Sequence, residues 1–142
     1  MANSAFTKVG SPVESLYKFI DFIVVDAATD CATGTDLIEW ECPFACTIIQ
    51  DDTEKQWFSA WNATAGTTGT MVVDIHKAGT TIMTTNKLDI ETTETSTRTA
   101  ATQPDLTTTT LAAGDLITID VDAVHSGTAA KGLTVRMTVR PD

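Results

Sequence analysis

Positive charge is scarce in this chain. Its 142 residues carry 9 Lys and Arg against 19 Asp and Glu, a formal net charge of −10. Direct nucleic-acid binding depends on cations that neutralise phosphate, so this balance argues against it. The same surplus favours solubility and suppresses nonspecific association. Long apolar runs are missing too. The longest, Phe22-Ile23-Val24-Val25, is flanked by Asp21 and Asp26, far short of the roughly 18 residues of a membrane span. The opening Met-Ala-Asn-Ser-Ala-Phe-Thr-Lys has no basic stretch followed by an apolar one, so no secretory signal is expected. No amphipathic stretch of helical period stands out.

Cysteine is sparse and odd in number: Cys31, Cys42 and Cys46. An odd count argues against a complete disulfide framework. Cys42 and Cys46 are close in sequence, but no second pair completes a tetrahedral zinc site, and His76 and His125 lie far away. Buried free thiols made in a reducing compartment are the expectation. No metal or cofactor is expected.

What the chain has in abundance is threonine, 28 residues. Thr is β-branched, suits a strand and tolerates solvent. Strand-like alternation recurs over 17–25, 36–41, 44–50, 56–63, 70–77 and 80–84, with Leu88 and Ile90 marking a shorter piece. In 116–124, Ile117, Ile119 and Val121 read as inward, and Thr118, Asp120 and Asp122 as outward. In the last strand Leu133, Val135, Met137 and Val139 face in, while Thr134, Arg136, Thr138 and Arg140 face out. Met71, Val73 and Ile75 share one face, and Val72, Asp74 and His76 the other. Strands without helical crossovers imply an all-β fold: an antiparallel β-sandwich, jelly-roll-like, of about eight strands. Residues 16–142 form that domain. Residues 1–15, broken by Gly10-Ser11-Pro12, read as an N-terminal arm.

Four blocks then carry a resemblance. They are Asp36-Leu-Ile-Glu-Trp-Glu-Cys-Pro-Phe-Ala-Cys-Thr-Ile48, Gly69-Thr-Met-Val-Val-Asp-Ile-His-Lys-Ala-Gly-Thr-Thr-Ile82, Ala112-Ala-Gly-Asp-Leu-Ile-Thr-Ile-Asp-Val-Asp-Ala-Val124 and Gly132-Leu-Thr-Val135. In this order they resemble a group of small tailed-phage virion proteins with a jelly-roll module, found in capsid decoration (cement) proteins and in tail-fibre or tail-tip proteins. The resemblance covers roughly residues 36–139. One departure is visible. Ala78 stands where the group usually has Asn before Gly; Ala tolerates positive φ poorly, which leaves room for another turn type.

The resemblance implies a non-enzymatic capsid decoration protein. It would be made in the host cytoplasm and placed on the outer capsid surface. Its partners would be the major capsid protein and further copies of itself in a homotrimer, without direct nucleic-acid or membrane contact. The segments expected to make capsid or subunit contacts are the arm, through Phe6, Lys8, Val9, Pro12 and Val13, and the Thr-rich stretch 92–110, including Thr107, Thr108 and Thr109. The alternative is a tail-fibre or tail-tip module that recognises host glycans, which would need Trp57 or Trp61 exposed.

Chemistry-bearing residues give weaker signals. His125 beside Ser126 lacks a nucleophile elbow. Glu39 and Glu41, or Asp120 and Asp122, have glycosidase-like spacing, but solvated outer-face carboxylates are the commoner arrangement. Asp74, Asp115, Asp120 and Asp122 offer calcium-type oxygens without a repeat that arranges them. Trp57 and Trp61 share a strand face, with core packing the expectation. Thr93, Thr95, Thr97 and Thr99 alternate as one exposed row would. Asn62-Ala63-Thr64 fits a glycosylation acceptor but lacks a secretory context.

Overall fold

The computed structural model describes residues 16–142. The arm assigned to residues 1–15 lies outside the described residues. Among the described residues, ten strands follow in chain order: β1 (Lys18–Asp30), β2 (Gly34–Glu41), β3 (Cys46–Ile49), β4 (Phe58–Trp61), β5 (Met71–Lys77), β6 (Thr80–Thr81), β7 (Leu88–Ile90), β8 (Thr110–Leu111), β9 (Leu116–Ala123) and β10 (Lys131–Pro141). They form two five-stranded antiparallel sheets, packed as an all-β sandwich. The count exceeds the expected eight because short ladders form wherever a loop passes a sheet edge; β6 and β8 have two residues each.

The first sheet runs β2-β9-β5-β6, with β7 also paired to β5; the second runs β1-β10-β3-β8, with β4 also paired to β10. The two segments with the cleanest alternation thus sit in the sheet centres. β9 lies between β2 and β5. β10 lies between β1 on one side and β3 and β4 on the other. Their inward residues are the expected ones: Ile117, Ile119, Val121, Leu133, Val135, Met137 and Val139 are all buried. Met71, Val73, Ile75, Leu88 and Ile90 meet Phe22, Ile48, Phe58 and Leu111 in the same core. Burying each large apolar side chain contributes about 1.5–3 kcal/mol.

Backbone geometry corrects one expectation. Ala78 and Gly79 join β5 to β6, with Lys77 paired to Thr80. Both have positive φ, +50° and +83°, the signature of the type I′ hairpin turn. Ala78 accepts the left-handed conformation because the two-residue loop and the twist of its strands demand it.

Gly132 shows a different constraint. It has φ +73°, and a Cβ there would lie 2.9 Å from the Ala27 Cα on β1. Glycine lets the two strands approach where β1 bulges; the pairing slips between Leu133 and Lys131.

Candidate interaction surface

The outer face of the second sheet is built in three rows across β1, β10 and β4. Ile23 pairs with Thr134, which pairs with Trp61. Asp21 pairs with Arg136, which pairs with Ser59. Phe19 pairs with Thr138, whose amide donates to the Trp57 carbonyl at 2.9 Å. Side chains two apart on a strand share a face, so the alternation of three strands assembles this surface.

Both ends of the face are apolar. Phe19 is 50% exposed and Ile23 69% exposed, and Leu16, at the entry to β1, is 53% exposed. The Trp57 ring lies 5.0 Å from that of Tyr17, tilted by 43°, and meets Phe19 edge-on at 6.2 Å. Arg136 crosses the middle. Its Nε and Nη2 donate to the two Asp21 carboxylate oxygens at 2.7 and 2.9 Å, and its guanidinium lies 5.1 Å from the Trp61 ring. The hydrogen bonds to Asp21 raise the Arg136 pKa above its already high ordinary value, so this cation is fixed in charge and position.

Three open grooves follow the same face. One of about 280 Å³ lies among Gln56, Trp61, Ser96, Arg98 and Arg136. The next, about 230 Å³, is lined by Phe19, Gln56, Trp57 and Arg136. A third, about 300 Å³, runs from Ile23 and Trp61 to Gly132. Arg98 is itself engaged: its Nε donates to the Glu54 carbonyl at 2.7 Å and its Nη2 to the Glu54 carboxylate at 3.3 Å.

This placement overturns the expectation for the tryptophans. Trp57 and Trp61 are half-buried on the outside, while Phe58 and Ala60 enter the core and Asn62 is buried behind them. Both faces of 57–62 hold aromatic area, so alternation alone does not choose between them. The register of β4 on β10 does. The signal in the sequence lay elsewhere, in 18–25. That strand is apolar on both faces, as a central strand would be, yet among the described residues β1 pairs with β10 alone.

The other expected sites fall as follows. Phe6, Lys8, Val9, Pro12 and Val13 lie outside the described residues. Thr107 is exposed and Thr108 and Thr109 half-buried. They lead into β8, at the opposite edge of the sheet from β1. Their polar groups are engaged internally: the Thr107 hydroxyl meets Thr84 Oγ1 at 2.9 Å and the Ile82 carbonyl at 3.1 Å, and the Thr109 carbonyl accepts from Ile48 at 2.7 Å. The threonine row does not form. Thr97 is buried in a 3-10 turn, Thr97–Thr99, and its hydroxyl accepts the Ala60 amide at 3.0 Å.

Several residues read as outward on alternation are buried: Thr118, Asp74, Asp120 and Thr138. On the first sheet the two aspartates belong to an ion-pair network. Asp74 accepts from Lys87 Nζ at 2.8 Å and Thr81 Oγ1 at 2.5 Å, and lies 3.2 Å from His76 Nε2. Asp120 lies 3.2 Å from His76 Nδ1 and accepts the Asp36 amide at 2.8 Å. Lys87 also reaches Asp122 at 3.2 Å, and these carboxylates raise its pKa, Asp74 most. The histidine separates the two aspartates instead of converging with them on one point. Asp115 is used elsewhere, capping the Ala112 amide at 2.7 Å and facing Lys77 at 3.4 Å. Among the described residues no group of three or more His, Cys, Asp and Glu is arranged to hold a metal ion.

His125 and Ser126 do not form a dyad. His125 is buried with Nε2 3.3 Å from the Glu91 carbonyl, and the nearest partner of the Ser126 hydroxyl is the Thr68 carbonyl. Cys42 and Cys46 are buried free thiols, with sulfurs 3.7 Å apart. Burial, then the contact with Cys42, pushes the Cys46 pKa up to about 12, so it resists thiolate chemistry. Asn62 is buried and donates to the Gly132 carbonyl at 2.7 Å, out of reach of glycosylation. No protein-family model, no curated protein and no solved structure matches this chain.

Proposed function

We propose that this chain is a non-enzymatic structural protein of a tailed-phage virion: a capsid decoration (cement) protein that binds the major capsid lattice from outside as a homotrimer. The observation that carries the reading is the outer face of the second sheet. Among the described residues, the sandwich exposes an apolar, aromatic face around Phe19, Ile23 and Trp57, as a protein that works through contacts would. The resemblance of the four sequence blocks supplies the virion context. The polar clusters support the same reading, because Asp74, Asp120 and His76 are consumed by ion pairs within the chain. The mechanism is mass action. A protein that binds only the assembled lattice stabilises it by its binding free energy. A few kcal/mol at each of many sites then opposes the pressure of packaged DNA.

A second reading, a tail-tip module that recognises host glycans, has one observation in its favour. Trp61 and Trp57 are half-exposed beside Arg136 and Gln56, and such an aromatic and polar groove suits a sugar ring. Cryo-electron microscopy of the intact virion tests both. Density for this sandwich on the capsid shell is the expected result, with occupancy lost on deletion of residues 1–13. Density at the tail tip would overturn decoration, and saturable binding on a glycan array would then establish the second reading.

A further inference from the structure

We propose that Cys42 and Cys46 form a redox modification site: the two thiols close to an intramolecular disulfide, with a low-molecular-weight disulfide of the glutathione type as oxidant. The chemistry stands on the geometry of the chain and not on the capsid reading.

The fold holds the two sulfurs together across the step between sheets. Cys42 follows β2 of the first sheet, and Cys46 opens β3 of the second. Each backbone is tied to different neighbours. The Cys42 amide donates to the Asp115 carbonyl at 2.8 Å, and the Cys42 carbonyl accepts from the Gly114 amide at 2.7 Å. Cys46 pairs with Pro141 of β10 and Leu111 of β8. The carbonyl of Ala45 before it accepts from the Asp142 amide at 3.0 Å. Between these anchors the sulfurs lie 3.7 Å apart. A disulfide closes such a pair to about 2.05 Å, a movement of roughly 1.7 Å shared by two side chains.

Burial decides which product fits. Both cysteines are wholly buried. A disulfide between them removes two hydrogens and adds no atom, so a close-packed interior accommodates it. A retained glutathione adduct would need new volume. Cys31 is too far away to compete. Its thiol donates to the Gly132 carbonyl at one end of β10, and Cys46 pairs with Pro141 at the other, roughly 30 Å along an extended strand.

The exchange balances without a metal or cofactor. One cysteine sulfur attacks the oxidant's S–S bond, displaces one small thiolate and forms a mixed disulfide. The other sulfur attacks that mixed disulfide and displaces the second small thiolate. Two S–H bonds break and one S–S bond forms; the two electrons and two protons leave on two small thiols. The reaction is slow, because burial and the contact with Cys42 push the Cys46 pKa up to about 12. It waits on opening of the turn 43–45, where Pro43 and Ala45 are exposed and Phe44 half-buried. A protein that leaves a reducing cytoplasm, as the reading above requires, acquires the bond after release; that timing alone rests on the capsid reading.

The test is equilibration of the full chain in mixtures of reduced and oxidised glutathione, followed by maleimide capping in denaturant and intact mass measurement. The folded chain should lose two hydrogens and keep one cap, with fragmentation placing the cap on Cys31 and the uncapped pair at Cys42 and Cys46. In urea, half-oxidation should need about tenfold more oxidised glutathione or more, since a fold that favours the bond is favoured by it. A chain oxidised in urea and then refolded should reach the same end point, so slow exchange cannot imitate a negative result. Cys31→Ser should retain the bond, and Cys42→Ser should abolish it. Lasting glutathione adducts on Cys42 or Cys46, a bond that includes Cys31, or a folded pair no easier to oxidise than the unfolded one overturns the proposal. Each of these outcomes concerns the purified chain and leaves its place on the virion to microscopy.

Discussion

Replacing Asp74 by Ala should destabilise the fold by about 2–3 kcal/mol, although alternation reads that residue as solvent-facing. Asp74 is 2% exposed. It accepts from Lys87 at 2.8 Å and Thr81 at 2.5 Å, and faces His76 at 3.2 Å. A hydrogen bond to a charged group is worth about 1.5–3 kcal/mol. Stranding a fully buried partner costs about 3–5 kcal/mol, but Lys87 and His76 keep 29% and 21% of their side-chain surface in water. Each also has another carboxylate, Asp122 for Lys87 and Asp120 for His76. The Thr81 hydroxyl can turn to the Met83 carbonyl at 3.1 Å. These rescues remove the upper part of the range. The assay is urea unfolding followed by tryptophan fluorescence, with a thermal melt that should fall by about 10 °C. Asp74→Asn keeps the contact with Thr81 and should lose about half as much. A loss below about 0.5 kcal/mol for Asp74→Ala, the scale of an ordinary surface change, would refute the burial of this network.

Two further outcomes follow from the backbone and from burial. Ala78 holds φ +50° in a type I′ turn, so Ala78→Asn should stabilise by about 0.5–1 kcal/mol, part of the left-handed penalty of an alanine; a lower melting temperature would show that the turn differs. Burial, then the nearby Glu91 charge, raises the Asp89 pKa. A carboxylate with a raised folded-state pKa costs stability above that pKa, and the cost vanishes as the pH falls below the ordinary carboxylate value. Asp89→Asn should therefore gain stability at pH 7, on the order of 0.5 kcal/mol, and match the wild type in strong acid. A gain that persists at low pH would place its origin elsewhere.

Much of the fold was legible because alternation is a local property. Residues 116–124 and 132–139 each declare one buried face, and those strands became the two sheet centres. Paired sheets follow from Thr-rich, helix-poor sequence. The interaction face was not legible, because it exists only once β1, β10 and β4 are side by side. Phe19, Arg136 and Trp61 are distant in sequence and meet through register alone. Nor does alternation distinguish an outer face in water from one under other side chains. Thr138 is polar and reads as outward, yet it is wholly buried.

By itself, then, the sequence determined the strand class, the inward residues of the long strands, the absence of an apolar run able to span a membrane, and the acidic balance. Each depends on composition or on spacing within a few residues. The tertiary structure alone decided that the strand at 18–30 lies beside β10, that Trp57 and Trp61 lie outside the core, and that Asp74 and Asp120 are buried around His76. Each of these depends on which strand lies beside which, a matter of long-range packing and register that no local pattern encodes.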